Sequence, residues 1–211
     1  MNHTPPYDSL IFDLDGTLWD STQTIADAWN AAITSLEFMD QQVSREDIRR
    51  TAGMPYNAIY DKLFPELNTE QRQQLQQHAG KLELEYLQRQ GGEAYPQLQE
   101  TLDVLQQKYS LFIVSNCQSG YIETFLQFLD LHPYFKDIAC YGDQHLPKSE
   151  NIRAIVQRNK LQRPVYIGDT QGDYDASVQA DVPFILASYG FGQVAATVEQ
   201  LAQFSDLQRW V

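Results

Sequence analysis

Five short apolar runs, at residues 10–14, 111–115, 137–141, 165–168 and 183–187, are each bounded by turn residues. That is the pattern of buried strands. The later runs alternate with helical patterns: Leu98, Leu102 and Leu105, then Ile122, Phe125, Leu126 and Leu129, then Ile152, Ile155 and Val156. Strands alternating with helices imply βαβ units and a parallel sheet covered on both faces. The expected fold class is α/β, with a Rossmann-like parallel-sheet core.

The long interval between the first two runs reads as all helix. Ile25, Trp29, Ile33 and Leu36 share one face after a cap at Ser21, and Ser44 with Asp47 has the spacing of a capping box. A long helix is predicted over 69–90, with Leu75, His78, Leu82 and Tyr86 on one side and Gly91-Gly92 as its stop. Its glutamines, Gln71, Gln73, Gln74, Gln76 and Gln77, read as solvated surface, since glutamine is a good helix former. The expected organisation is an α/β core of residues 1–18 and 92–211, with an α-helical cap of residues 19–91 inserted after the first strand.

Charge narrows the choice of partner. The chain carries 15 Lys and Arg against 28 Asp and Glu, a formal charge of −13. Such a field repels polyanions and argues against nucleic acid. It also repels a small phosphorylated substrate, so any phosphate site must be made locally positive by a lysine, backbone N–H groups or a metal ion. The apolar runs fall far short of the roughly 18 to 20 residues a membrane span needs. The opening residues 1–7 are polar and carry no leader pattern. Cys117 and Cys140 form no framework, and His3, His78, His132 and His145 are scattered without a zinc-type pair. The expectation is a cytoplasmic protein, monomeric by default with a homodimer as the alternative.

The chemistry is concentrated at strand ends, where α/β sheets place ligands. Asp13 and Asp15 stand two residues apart at the end of the first run, so they point to one side while the strand lasts, and Gly16 permits a sharp turn over them. Aspartates also end strands for purely structural reasons. Three further segments weigh against that. Ser115 and Asn116 follow the second run, Lys148 lies between the third run and the next helix, and Asp169 and Asp173 follow the fourth. Four acids converging with one lysine and one serine make sense around a hard cation such as Mg²⁺ held together with a phosphate.

Asp13-Leu14-Asp15-Gly16-Thr17, Ser115, Lys148 and Gly168-Asp169 with Asp173 resemble the four ordered motifs of the haloacid dehalogenase-like hydrolase superfamily. The helical insertion is similar to the cap of the subfamily containing phosphoglycolate phosphatases and β-phosphoglucomutases. The resemblance implies an Mg²⁺-dependent phosphatase acting on a small phosphorylated metabolite through an aspartyl-phosphate. Asp13 would be the nucleophile and Asp15 the acid and base, lending its backbone carbonyl to the metal. Asp13, Asp15, Asp169 and Asp173 would form the metal site, while Ser115, Asn116, Lys148 and Thr17 would hold or support the phosphoryl group. In the cap, Arg49, Arg50 and Tyr56 would contact the rest of the substrate, or else the arginines simply end a helix in solvent.

Asp15 argues against carbon–halogen cleavage, because a dehalogenase proper lacks the second acid. Thr17 stands where the family's mutases carry a valine-like residue, which favours hydrolysis over a β-phosphoglucomutase type of transfer. A non-catalytic phosphate-binding protein is the third alternative. Pro147 precedes the motif lysine instead of following it. Gly142-Asp143 imitates the fourth motif but reads as a surface turn, Asp175 reads as helix surface, and Cys117 reads as a small buried side chain. The turn Tyr189-Gly190-Phe191-Gly192 either borders the site or is a plain loop.

Overall fold

The structure is a computed structural model that describes residues 7–210. The reading of the opening segment, His3 included, lies outside them save for Tyr7. In chain order the elements are β1 (Ser9–Phe12), β2 (Trp19–Asp20), α1 (Thr22–Thr34), α2 (Arg45–Arg49), α3 (Tyr56–Leu63), α4 (Thr69–Gln90), β3 (Glu93–Ala94), α5 (Leu98–Leu105) and β4 (Ser110–Ser115). There follow α6 (Tyr121–Phe128), β5 (Phe135–Cys140), α7 (Tyr141–Gln144), α8 (Lys148–Arg158), β6 (Pro164–Gly168), α9 (Gln171–Gln179), β7 (Phe184–Ala187) and β8 (Glu199–Leu201). No helix among the described residues is long and apolar enough to cross a membrane.

Six strands form one sheet in the order β5-β4-β1-β6-β7-β8, every neighbouring pair parallel. Strand β1 is fully buried, and alternation sends its residues to opposite sides. Leu10 and Phe12 join the larger core cluster, while Ile11 joins Phe112, Val114, Ile152 and Tyr166 in the smaller one. From β1 the chain builds outward through β4 and β5, then returns to add β6, β7 and β8 on the other side. This reversal at β1 is where the carboxyl ends of an open α/β sheet leave a crevice for ligands.

The sheet has a sixth strand, β8, beyond the five expected. Its sequence, Glu199-Gln200-Leu201, is short and mostly exposed, so it lacks the apolar run that marks the others. Strands β2 and β3 also go beyond the all-helix reading of the interval. They pair antiparallel, Trp19 with Ala94 and Asp20 with Glu93, at the two points where the helical segment leaves and rejoins the sheet region. Two residues give no periodicity to detect.

Helix α4 spans the range that the periodicity predicts and is capped by Asn68 and Gln71. Its buried row differs from expectation: Leu75, Ala79, Glu83 and Leu87 face inward, and His78 is exposed. An acid inside the row hides it from a count of apolar residues. Helix α1 packs along α4, with Ile25, Trp29 and Ile33 buried, and Trp29 stacks on Tyr60 with ring centroids 4.5 Å apart. Ser44 forms the expected capping box with Asp47. Ser21 precedes α1 without capping it by its side chain; its hydroxyl is used elsewhere.

Candidate active site

Strand β1 stops at Phe12, one residue before the first aspartate. The Asp13 N–H still reaches the Ile167 carbonyl at 2.8 Å, which fixes Asp13 at the sheet edge. The chain then coils: the N–H groups of Thr17 and Leu18 both bond the Leu14 carbonyl, and Gly16 N–H bonds the Trp19 carbonyl at 2.9 Å. Asp13 and Asp15 therefore do not share a strand face; the turn, not the pleat, brings them to one cavity. Gly16 holds a φ of +86°, and a Cβ there would collide with the Asp169 carboxylate. Only glycine meets both demands cheaply.

Lys148 is the hub of the charged cluster. Its Nζ donates to Asp13 Oδ1 at 2.7 Å and to Asp173 Oδ1 at 2.5 Å, with all three side chains almost fully buried. The lysine is the first residue of α8, not part of a loop as expected, and the short helix α7 stands between it and β5. Pro147 occupies the cap position, where its missing N–H breaks no helical bond.

Asp173 serves two tasks. Its Oδ2 accepts the backbone N–H groups of Asp169 and Thr170 at 3.2 and 3.0 Å and the Thr170 hydroxyl at 2.7 Å, forming the capping box of α9. Its other oxygen is left for Lys148. Asp169 Oδ2 accepts the Phe191 N–H at 2.7 Å, whereas its Oδ1 is buried with no hydrogen-bond partner. Asp13, Asp169 and Asp173 each offer a carboxylate oxygen within 4.8 Å of the others.

Three buried acids against one lysine leave excess negative charge, and the proton affinities show it. Burial pushes Asp13 up to about 7, Asp173 adds repulsion, and Lys148 opposes both. Burial, with the charges of Asp173 and Asp13, holds Asp169 well above the carboxylate range. Burial alone would lower Lys148, but Asp13 and Asp173 outweigh it and keep the ammonium charged. A buried orphan oxygen and two acids held in reluctant protonation fit a hard divalent cation bound by oxygen.

Asp15 is half-buried, and its Oδ1 accepts the Ser21 hydroxyl at 2.6 Å and the Tyr121 hydroxyl at 2.8 Å. Burial raises its pKa, and these two donors hold it down. No sequence pattern marks either donor. Ser21 reads as a helix cap, and Tyr121 is one more apolar-face residue of an amphipathic helix.

The cavity above this cluster has a volume of about 80 Å³ and is bounded by the sheet edge on one side and α1 to α4 on the other. Asp13, Asp15, Ser115, Asn116 and Lys148 line it from the sheet. Ser115 ends β4 and is buried. Asn116 Nδ2 donates to the Gly53 carbonyl at 2.8 Å, clipping the helical segment to the sheet, while its Oδ1 is buried without a partner. Thr17 does not line the cavity: its hydroxyl is buried and unpartnered, and its carbonyl accepts the Tyr189 hydroxyl at 2.9 Å. The turn after β7 thus borders the site, with Phe191 in the cavity wall.

The three cap candidates separate. Tyr56 lines the cavity, its hydroxyl 2.8 Å from that of Tyr60. Arg49 is exposed and lies over the Phe191 ring, 5.2 Å from its centroid. Arg50 points to solvent and pairs with Glu46 at 3.2 Å, so the structure does not bring it to the cavity. Of the decoys, Asp175 is exposed and bonded by Gln171. Gly142-Asp143 belongs to α7 instead of a turn, packed so closely on Gln118 and Ser119 that a Cβ at Gly142 would overlap their backbone. Cys117 is half-buried and lines the cavity, with its thiol pushed up by burial.

Residues 10–187 match the haloacid dehalogenase-like hydrolase family. The chain is 25% identical over 207 residues to a phosphoglycolate phosphatase of Aquifex aeolicus, covering 94% of this chain and 93% of that one. It is 28% identical over 193 residues to a phosphoglycolate phosphatase of Agrobacterium fabrum, covering 87% and 82%. The fold is similar to that of a CbbY variant of Rhodobacter sphaeroides in complex with xylulose bisphosphate, with a TM-score of 0.79, 16% identity and coverage of 95% and 96%. It is also similar to a haloacid dehalogenase-like family protein of Streptococcus pneumoniae, with a TM-score of 0.71, 22% identity and coverage of 96% and 91%.

Proposed function

Since the chain belongs to the haloacid dehalogenase-like hydrolases, we propose that it is an Mg²⁺-dependent phosphatase that hydrolyses a small phosphomonoester through an aspartyl-phosphate on Asp13. The observation that carries this reading is the bridge of Lys148 between Asp13 and Asp173, with the unpartnered Asp169 oxygen beside it. The names of the relatives support a phosphatase over other hydrolases.

Asp13, Asp169 and Asp173, with the Asp15 backbone carbonyl, would hold the cation. When bound it offsets the repulsion between these carboxylates and the incoming phosphoryl group. Lys148 and Ser115 hold phosphoryl oxygens, while Asn116 keeps the cavity wall in place and supplies its second amide hydrogen. Asp13 attacks phosphorus in line, and the P–O bond to the alcohol breaks. Asp15 gives its proton to the departing oxygen, then takes one from the water that cleaves the aspartyl-phosphate. Its raised pKa suits both steps, since an acid that must give and regain a proton works best with a pKa near the operating pH. Thr17 supports the loop after the nucleophile through Tyr189.

Residues 19–91 act in this reading as a cap over a core of residues 1–18 and 92–211, with the β2 and β3 pair as the two-stranded joint between them. The test is phosphate release from a panel of phosphomonoesters with and without Mg²⁺. Release by the wild type, its loss on exhaustive chelation, and its absence in Asp13→Asn are the expected results. Undiminished release after chelation would remove the metal from the mechanism.

A further inference from the structure

The helical wall of the cavity contains a carboxylate to which the mechanism above gives no task. Glu83 occupies the inward row of α4 among Leu75, Ala79 and Leu87 and is 2% exposed. It lines the same cavity as Asp13 and Asp15. Its Oε2 accepts the Trp29 indole N–H at 2.7 Å and its Oε1 accepts the Gln118 amide at 2.9 Å. Both donors are neutral. A carboxylate offers about four lone-pair sites, so roughly half of the acceptor capacity is left over.

No cation answers it. Among the described residues Lys148 is the one basic side chain in the cavity lining, and it is committed to Asp13 and Asp173. Arg49 lies over Phe191, and Arg50 is paired with Glu46 in solvent. The groups that face Glu83 are apolar or neutral: Ile25, Trp29, Ile48 and Ile59, with the hydroxyls of Tyr56, Tyr60 and Tyr121, and none of them carries a positive charge. Burial accordingly pushes Glu83 up to about 7, against the pull of Trp29 and Gln118. An unpaired acid in such a wall is a cost unless a ligand supplies donors to it.

We propose that Glu83 selects the alcohol half of the ester: it accepts a hydrogen bond from a hydroxyl or ammonium group there and rejects alcohols that carry a carboxylate. This rests on the phosphatase reading. Phosphoglycolate, the substrate that the relatives' names give, would bring a carboxylate into a wall that has an acid and no free cation. Once Glu83 is ionised, above about pH 7, like charges in this site repel, and below it the incoming carboxylate must hold Glu83 protonated; either way the acid half of the pair discriminates, most strongly at alkaline pH. A hydroxyl or ammonium group would instead fill the free lone pairs of Glu83. This chain would then share its relatives' chemistry but not their substrate.

The experiment measures kcat and KM with Mg²⁺ for glycerol phosphate, phosphoethanolamine and phosphoglycolate. The wild type should favour one of the first two over phosphoglycolate by roughly tenfold or more in kcat/KM, the scale of a lost or repelled polar contact. Which of the two leads distinguishes a hydroxyl from an ammonium donor. Glu83→Gln should narrow the gap from both sides, mainly through KM. Because Glu83→Gln leaves one neutral donor facing an amide, the double variant Glu83→Gln with Gln118→Glu is measured too. It keeps the hydrogen bonds among Trp29, residue 83 and residue 118, gives up the Gln118 amide bond to the Gly80 carbonyl, and moves the charge onto residue 118, which does not line this cavity. A preference for phosphoglycolate in the wild type, or a gap that neither variant changes, would overturn the assignment of Glu83 while leaving the phosphatase intact. Absence of release from every ester would overturn the phosphatase reading and this inference with it.

Discussion

The two walls of the cavity are built on opposite terms. On the sheet side, charged groups hold one another: Lys148 spans Asp13 and Asp173, Asp173 also caps α9, and Asp169 is fixed by Phe191. Few atoms there are free to move without disturbing a partner. On the helical side, packing does the work, with Trp29 against Tyr60 and Phe64 and one acid among apolar neighbours. The first wall is organised to stabilise charge at one fixed point, the second to present a shape. Changes on the sheet side should therefore abolish turnover, and changes on the helical side should redistribute it among substrates.

The sharpest break of that comparison comes from the proposed nucleophile. Asp13→Asn would remove the oxygen proposed to attack while keeping shape, and the variant should lose at least about 10³-fold in kcat on every ester alike, with its fold retained by circular dichroism. Residual turnover that varied with the ester would mean that Asp13 is not the common reacting group. Gly16→Ala should follow closely. A positive φ alone costs an L-residue about 1 to 2 kcal/mol, and the new Cβ would displace the Asp169 carboxylate. Both a lower melting temperature and a large loss of kcat are expected. Normal stability and turnover would show that the loop adapts, contrary to the rigidity claimed for this wall.

The same contrast governs how much could be read from the sequence. The sheet wall is legible because its pieces lie at or after the ends of apolar runs in chain order, so Asp13, Ser115, Lys148 and Asp169 follow from the strand pattern. The turn after Asp13 was less so, since strand alternation suggested a shared face where the backbone in fact coils around the Leu14 carbonyl. The helical wall depends on contacts distant in sequence. Tyr121 meets Asp15 across 106 residues and Gln118 meets Glu83 across 35, and no local pattern encodes either. Glu83 did leave a trace: it stands four residues from both Ala79 and Leu87, so its row is helical in spacing although not in hydrophobicity. Strand β8 escaped because an exposed edge strand needs no apolar run.

A smaller effect is expected where the sheet wall's acid is tuned by a residue to which no sequence pattern points. Tyr121 donates to Asp15 Oδ1 and so favours the carboxylate. Tyr121→Phe should raise the pKa of Asp15 further, because one of the donors that stabilise the anion is lost. Asp15 would stay protonated to a higher pH, and the alkaline limb of the kcat profile should move upward. The loss in kcat at neutral pH should be roughly tenfold, the lower range for general acid–base groups. A profile that drops in height without moving would reduce Tyr121 to a packing residue.

Glu83 offers a test of the helical wall that needs no substrate. Its pKa stands at about 7 in the folded chain against an ordinary 4.5. For an acid whose folded value is raised, the stabilisation belongs to the protonated form: it is complete below the unfolded value and is lost as pH climbs through the folded one. The wild type should therefore lose melting temperature between about pH 5 and pH 8 by more than Glu83→Gln does. The variant begins lower at pH 5, having misplaced one donor, and closes the difference as the wild type is forced to bury a charge beside Asp15. Parallel melting curves would mean that Glu83 ionises without cost, through water or an ion reaching it, and its place in a dry selecting wall would fail.

The smallest effect belongs to the residue that the sequence offered and the structure withdraws. Arg50 shares its pattern with Arg49, but its guanidinium is exposed and meets Glu46 one helical turn away. Such exposed pairs contribute about 0 to 1 kcal/mol. Arg50→Ala should change kcat/KM less than about twofold for every ester and move stability by at most about 0.5 kcal/mol. A larger effect confined to KM for one ester would require the arginine to swing into the cavity on binding, and Glu83 would then have the cation whose absence makes it selective. The insensitivity of Arg50 and the sensitivity of Glu83 are thus one prediction about the helical wall, measured from its two ends.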